Sequence, residues 1–410
     1  MVFEVYGLTF AGKPLFSSRK DSEVSLAFYG TISAVASKVA SLLSDYTEQD
    51  CLRYITVGSL QFTYLERGPL CYFAISDNGY SPLMVYKILC AIHLQVVSIL
   101  TRGVERILIK RPSYDVQNLL GGTQGIIDKL MDNMSGCLGI IDDYAYEALP
   151  LSQTTRTTLT SYFTKFRTDN ILCCFIVVSN KVAVVTMSKS VSLKPTDIST
   201  VINTVIASQS LQQQESWTPI CLPSFNDQAF TYGYINYVSP EIGIVCISTS
   251  GDQEQFYYIS GHFEESKRMM IESKTLDDLR SSLLATPLEF PSGGIPSCEI
   301  LHLMFYDRNL GQFFSSAFKS STCGNLNKNI LSSYRSAVEF LHNSGHRRSA
   351  LFSFEYLNVY VEYNNDYNIY LATAPWTDIS TDLINKICSY VTKHYNFLFI
   401  TKVPAITKRK

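Results

Sequence analysis

Charge is scarce in this chain. Only 17% of its 410 residues are Asp, Glu, Lys or Arg, and the 34 basic side chains nearly cancel the 36 acidic ones. A chain without a broad cationic field cannot release counterions from a polyanion, which excludes DNA and RNA as partners. Tryptophan is rarer still, at two residues, although Tyr and Phe bring the aromatic share to 12% and the hydrophobic share to 46%. That composition belongs to a densely packed globular protein, and so little charge points to surface covered by partners or by neighbouring domains. Eleven cysteines (Cys51, Cys71, Cys90, Cys137, Cys173, Cys174, Cys221, Cys246, Cys298, Cys323, Cys388) include no C-x-x-C pair, so they read as reduced core thiols of a cytosolic protein. The opening Met1 to Tyr6 lacks the basic flank and long apolar block of a secretory leader and reads as a strand. Pro82 to Leu100 is the most apolar stretch, yet Lys87, His93 and Gln95 interrupt it, which predicts a buried helix rather than a membrane span.

Catalytic signatures are lacking too. The six histidines (His93, His262, His302, His342, His346, His394) are dispersed, and only His342 and His346 stand at metal-ligand spacing. They have no third ligand nearby, so they read as a solvated helix end. There is no G-x-S-x-G elbow. Gly121-Gly122-Thr123-Gln124-Gly125 has neither the spacing nor the lysine of a phosphate-binding loop and reads as a helix break. Asp142-Asp143 and Asp277-Asp278 are neighbours in sequence that do not face one another on a helix, and they read as solvated charges and helix starts. The closing Lys408-Arg409-Lys410 reads as a solvated tail that assists contact with anionic lipid without anchoring. No catalytic residue, metal ligand or cofactor site is assigned, and an enzyme would need a deep pocket with convergent ionisable groups.

What the chain does have is one pattern written three times. In the first copy a strand from Phe3, a Gly12-Lys13-Pro14 turn and a short strand from Leu15 form a hairpin. A helix over 23–44 follows, its core stripe Phe28, Ile32, Val35, Val39 and Leu42 recurring at spacings of three and four. Three strands come next, Cys51 to Val57, Leu60 to Glu66 and a central Leu70 to Ser76, and then the Pro82 helix and helical text from Tyr114 to Met134. The grammar returns over Ile171 to Ile271 and again over Cys298 to His394. Two strands, a helix, three strands and a helix is the order of the longin or profilin-like layer. The fold class is therefore α/β (α+β), with three longin-like domains, each a five-stranded antiparallel sheet flanked by helices. The expected boundaries are a first domain over 1–135, a helical linker over 136–170, a second domain over 171–286, a linker over 287–297 and a third domain over 298–410. Three separate sheets are expected, with at least one exposed edge used in pairing.

The first helix also carries a partner signal. Opposite its core stripe lie Gly30, Ala34, Ser37, Ser41 and Ser44, with Lys38 and Glu23 the only charges over 23–44. Exposed helices ordinarily place Glu, Lys and Arg there, so Gly30, Ala34, Ser37 and Ser41 are the candidate contact residues for a partner or GTPase.

Four segments resemble the Mon-one family of vacuolar fusion proteins: Ala11 to Phe16, Arg67-Gly68-Pro69-Leu70, Tyr114 to Leu120, and Trp217-Thr218-Pro219-Ile220-Cys221-Leu222-Pro223-Ser224-Phe225-Asn226. Leu398-Phe399-Ile400 resembles the family's closing strand. Each has a packing role as well: Gly12 and Pro14 turn a hairpin, Pro219 and Pro223 bracket a strand, and Trp217 anchors the second core. The chain departs from the family in starting at the first strand, without the usual polar N-terminal extension, and in a loosely matching third domain. The resemblance implies a heterodimer with a Ccz-one-type longin subunit whose paired first domains form a platform for a Rab-seven-type GTPase. GDP release would be promoted by binding energy alone, in traffic from endosome to vacuole or lysosome and in autophagy. The expected location is cytoplasmic, with peripheral recruitment to late-endosomal or vacuolar membrane. The alternative is a non-catalytic tri-longin scaffold that binds a GTPase without accelerating nucleotide loss.

Overall fold

The computed structural model describes residues 3–18, 26–43, 52–77, 80–120, 124–134, 138–284, 299–318 and 324–408. Two compact bodies divide the chain, one of residues 1–141 with 221–230 and one of residues 142–220 with 231–410.

In the first body, β1 (Phe3–Thr9) and β2 (Pro14–Ser17) form the expected hairpin, closed by Gly12 at φ 78°, a conformation that favours glycine. Helix α1 (Leu26–Leu43) leads to β3 (Tyr54–Val57), β4 (Leu60–Arg67) and β5 (Leu70–Asp77). The antiparallel sheet runs β2-β1-β5-β4-β3, so β5 is central, and it is buried along nearly its whole length. Tyr6, Leu8, Cys71, Phe73 and Ile75 form one core under α1, with Tyr6 stacked on Phe73 at 4.8 Å. The opposite face takes α2 (Pro82–Leu100), started by Ser81, whose hydroxyl accepts from the Met84 amide, and by Pro82 in the first turn. Its polar interruptions are accommodated as expected of a core helix. Gln95 is fully buried, His93 Nδ1 lies 3.2 Å from the Tyr72 hydroxyl, and the Lys87 ammonium donates to the Ile141 carbonyl. The text expected to be helical from Tyr114 instead divides into a short 3-10 turn at Gln117–Leu119 and α4 (Gln124–Met134), after α3 (Gly103–Lys110). Gly121 to Thr123 lie outside the described residues, and α4 begins at Gln124.

Helix α1 departs from its expected packing. Among the described side chains of the helix, Tyr29, outside the period-matched stripe, is the buried one. Phe28, Ile32 and Val39 are half-buried, whereas Val35 is 41% and Leu42 56% exposed. The helix covers the sheet with its first half and leaves apolar side chains of its second half open.

The second body opens with β6 (Tyr146–Ala148), α5 (Gln153–Tyr162) and β7 (Lys165–Phe166). The second repeat follows as β8 (Ile171–Val178), β9 (Lys181–Ser188), α6 (Pro195–Ala207), α7 (Gln209–Gln213), β10 (Ser216–Leu222), β11 (Asn226–Ser239), β12 (Ile242–Ser248), α8 (Gln253–Glu272) and α9 (Thr275–Leu284). The third comprises β13 (Ile300–Asp307), β14 (Gln312–Ser315), α10 (Gly324–Ser344), β15 (Ser349–Ser353), β16 (Asn358–Tyr363), β17 (Tyr367–Thr373), α11 (Thr381–Lys393), α12 (Tyr395–Leu398) and β18 (Ala405–Lys408). Both repeats keep the strand order of the first, with the opening and closing strands paired at the centre. Burial explains the centre: β8 is apolar throughout, β12 is apolar up to its last residue Ser248, and both are buried on both faces. Trp217 packs against the second core, as expected.

The second and third sheets are not separate. They merge edge to edge into one 13-stranded sheet through β6, which runs parallel to both β9 and β14. The stretch expected to be a helical linker thus supplies strands, because β9 and β14 each leave an open edge that a short extended segment can satisfy. The seam is fastened by Glu147, which meets Lys181 Nζ at 2.7 Å and accepts from Ser315 Oγ at 2.7 Å. Strand β18 adds to the far end of β9 and pairs β7, so the chain closes at Ala405–Lys408 rather than at Leu398 to Ile400, where Leu398 ends α12. Lys408 is the last residue of this strand, and residues 409–410 of the expected tail lie outside the described residues. Asp142 is another reversal: expected in water, it is buried and accepts from Asn368 Nδ2 at 2.6 Å. Asp277 and Asp278 do open a helix as expected, at α9. Pro219 lies inside β10 rather than bracketing it, tolerated because β10 is the terminal edge strand. The linker expected over 287–297 lies outside the described residues.

Candidate interaction surface

Between α1 and the β3–β4 hairpin lies an apolar groove of about 180 Å³, lined by Ile32, Val35, Leu52, Ile55, Val57, Phe62, Thr63, Tyr64 and Phe73. Among the described residues β3 is the sheet's edge on this side, and no described strand meets its outer main-chain groups. It carries no charge, and both Tyr54 and Val57 are exposed on it. Exposed Leu42 and Val35 extend the apolar surface along α1.

The four residues singled out in sequence, Gly30, Ala34, Ser37 and Ser41, are all exposed and share one side of α1. Ser41 turns its hydroxyl inward to the Lys38 carbonyl at 2.8 Å, which shortens its reach into solvent. Among the described residues, a Cβ added at Gly30 would meet nothing within 4 Å, so no described packing demands glycine there. The small-residue row therefore lies on the side of α1 turned away from Ile32 and Val35, which line the groove beside the open strand edge. Sequence reasoning missed the groove, because Ile32 and Val35 were read as core and β3 as an ordinary strand. The available signal was a charge-free edge strand, Tyr54-Ile55-Thr56-Val57, where edges usually carry charge or proline.

Ionisable groups elsewhere are held by the cores rather than gathered in a cleft. His93 and His302 are neutral, their imidazole pKa pushed down by burial to about 4 and about 3. His302 Nδ1 lies 3.1 Å from the Tyr334 hydroxyl, and the ring stacks on Phe318. His342 and His346 sit exposed at the end of α10. Among the described residues no cluster of three or more His, Cys, Asp or Glu could hold a metal ion. Cys71, Cys173, Cys174, Cys221 and Cys246 are buried free thiols, and Cys90 and Cys388 are half-buried ones.

The depressed histidines set a pH dependence. Unfolding lets each imidazole regain its ordinary affinity for protons, so the stability due to its neutral form is complete above pH about 6.5 and is lost progressively below it, down to the folded values. At pH 5.5 each costs about 1 kcal/mol. The melting temperature is expected to fall between pH 7 and pH 5.5, and His302→Leu to flatten part of that fall. A melting temperature unchanged over this range contradicts the neutral burial of both rings.

Relatives share this architecture. A family profile described as the first longin domain of FUZ, MON1 and HPS1 matches residues 5–130, and one described as their second longin domain matches residues 169–265. These matches and the shared strand order define the chain as a protein of repeated longin domains. Protein SAND of Takifugu rubripes is 24% identical over 97% of this chain and 75% of its own length. Vacuolar fusion protein MON1 homolog A of Gallus gallus is 24% identical over 97% of this chain and 71% of its own. Vacuolar fusion protein MON1 of Cryptococcus neoformans is 25% identical over 97% of this chain and 65% of its own. The chain belongs to the MON1 family.

Proposed function

We propose that this chain acts in vacuolar fusion and membrane traffic as one subunit of a heterodimeric guanine nucleotide exchange factor. The open surface of the first domain supports the reading: an apolar groove beside a strand edge that no described strand pairs, and a row of small residues on the other side of α1. A Ccz-one-type longin subunit pairs across this face, and the joined first domains seat a Rab-seven-type GTPase. Exchange on such a platform uses no acid, base or nucleophile. Binding energy is directed to switch I and to the magnesium and phosphate contacts, so the nucleotide-free GTPase is stabilised and GDP leaves faster. The chain is in this sense not an enzyme of covalent chemistry. It is recruited from the cytoplasm to the late-endosomal or vacuolar membrane, in contact with anionic lipid.

The test is to co-purify the chain with a Ccz-one-type subunit and follow release of fluorescent GDP from Rab-seven-type and Rab-five-type GTPases. Stable pairing and faster release from the Rab-seven type are expected. Pairing and GTPase binding without faster release would replace exchange by a scaffold role, and no pairing would overturn the heterodimer.

A further inference from the structure

At the far end of the 13-stranded sheet from β10, β15 is a second edge that no described strand pairs. Its sequence Ser349-Ala350-Leu351-Phe352-Ser353 has neither charge nor proline, and Leu351 is 54% exposed. The polarity of its hydrogen bonds is fixed by the neighbouring strand. The Arg348 carbonyl accepts from the Tyr363 amide at 2.7 Å, and the Phe354 amide donates to the Leu357 carbonyl at 2.8 Å. Even-numbered residues therefore bond to β16, and Ser349, Leu351 and Ser353 direct their N–H and C=O groups to the open side. Around this edge Phe354, Tyr356 and Phe340 are exposed; Phe352 stacks on Phe354 and meets Phe340 edge-on. Arg347 and Arg348 precede the strand and Glu355 follows it, all exposed.

This edge is complementary to itself. Laid antiparallel against its own image about Leu351, the strand places Leu351 opposite Leu351, Ser349 opposite Ser353, Ala350 opposite Phe352 and Arg347 opposite Glu355. The odd-numbered residues that face outward then meet odd-numbered residues, as a hydrogen-bonded antiparallel ladder requires, giving about six main-chain bonds. Arg348 comes opposite the Phe354 ring, where a cation on an aromatic face is favourable. We propose that β15 is a homotypic docking edge, through which two copies of this chain join by a two-fold strand pair with Arg347 of each copy against Glu355 of the other. A two-fold contact uses the same surface twice and closes, so it yields a dimer and not a filament. The edge is remote in sequence from the first-domain groove, and the proposal stands apart from the exchange reading.

Sedimentation velocity of the purified full chain across a concentration series reads the proposal directly. A concentration-dependent dimer is expected, weakened by added salt because its rim pairs are exposed. Leu351→Lys should weaken it at least ~10-fold, since a lysine on an edge strand opposes its own image. Arg347→Glu and Glu355→Arg should each weaken it ~3–10-fold, and the double exchange Arg347→Glu/Glu355→Arg should restore it. All three positions are solvent-facing, and circular dichroism with thermal melting checks that each variant is folded. Monomer at every concentration overturns the proposal, as does undiminished dimerisation of the Leu351→Lys chain or failure of the double exchange to restore it.

Discussion

Alanine at position 156 is expected to remove about 3–5 kcal/mol of stability, read as a lowered midpoint of urea unfolding. Arg156 lies on α5 with 5% of its surface exposed, and all its hydrogen-bond partners are main-chain carbonyls. Its guanidinium donates to Ala183 O at 2.6 Å, Leu149 O at 2.6 Å and Phe397 O at 3.0 Å, with a longer bond to Leu151 at 3.4 Å. Burial lowers its pKa to about 10, so the group remains charged at neutral pH and is balanced by carbonyl dipoles. Those carbonyls come from the connection between β6 and α5, from β9, and from α12 of the third repeat. Arg156 thus ties the joined sheets together at a second point beside Glu147. Alanine strands the carbonyls in an apolar setting, each at about 1–3 kcal/mol before relaxation and water entry recover part of it. Lysine is expected to rescue little, because a single ammonium cannot reproduce the planar fork that reaches separate carbonyls. A loss below about 1 kcal/mol for Arg156→Ala would show that the cluster is hydrated in solution.

That cluster marks where sequence reading stopped. The apolar stretch of α2, the central hydrophobic run of β5 and the glycine turn at Gly12 are local signals, and each element lies where its pattern placed it. The thrice-repeated order of elements along the chain followed from them. The joining of two sheets through β6 could not be read the same way. Three residues, Tyr146-Glu147-Ala148, carry no periodicity, and their pairing partners are 34 and more residues away. Arg156 and Asp142 were illegible for a related reason: a charged residue reads as solvated unless its partners are known, and those partners are main-chain carbonyls and Asn368. The candidate surface was half legible. The small-residue row on α1 was visible as missing charge, whereas the groove needed β3 placed beside Val35, a contact between segments that only the folded sheet brings together.

The largest expected effect on function falls on that row. Ser37→Arg puts a long cation where the proposed partner or GTPase packs closely, and Ala34→Arg does so one turn earlier. Both positions are exposed in the isolated chain, so folding should be unaffected within about 0.5 kcal/mol. Assembly or GDP release, by contrast, should fall at least ~10-fold, the scale of a lost close contact at an interface. Val35→Asp sharpens the comparison. As a core residue it would have been a stability control, but Val35 is 41% exposed and lines the groove. A carboxylate there meets water in the free chain and is desolvated only when the groove is filled. Val35→Asp is therefore expected to cost little stability and to impair binding as Ser37→Arg does, while Tyr29→Asp, deep in the core, should unfold the domain. Unchanged partner affinity and unchanged GDP release in both Ser37→Arg and Val35→Asp would remove α1 and the groove from the working surface. A Val35→Asp chain that melts like Tyr29→Asp would show instead that α1 closes over the groove in solution.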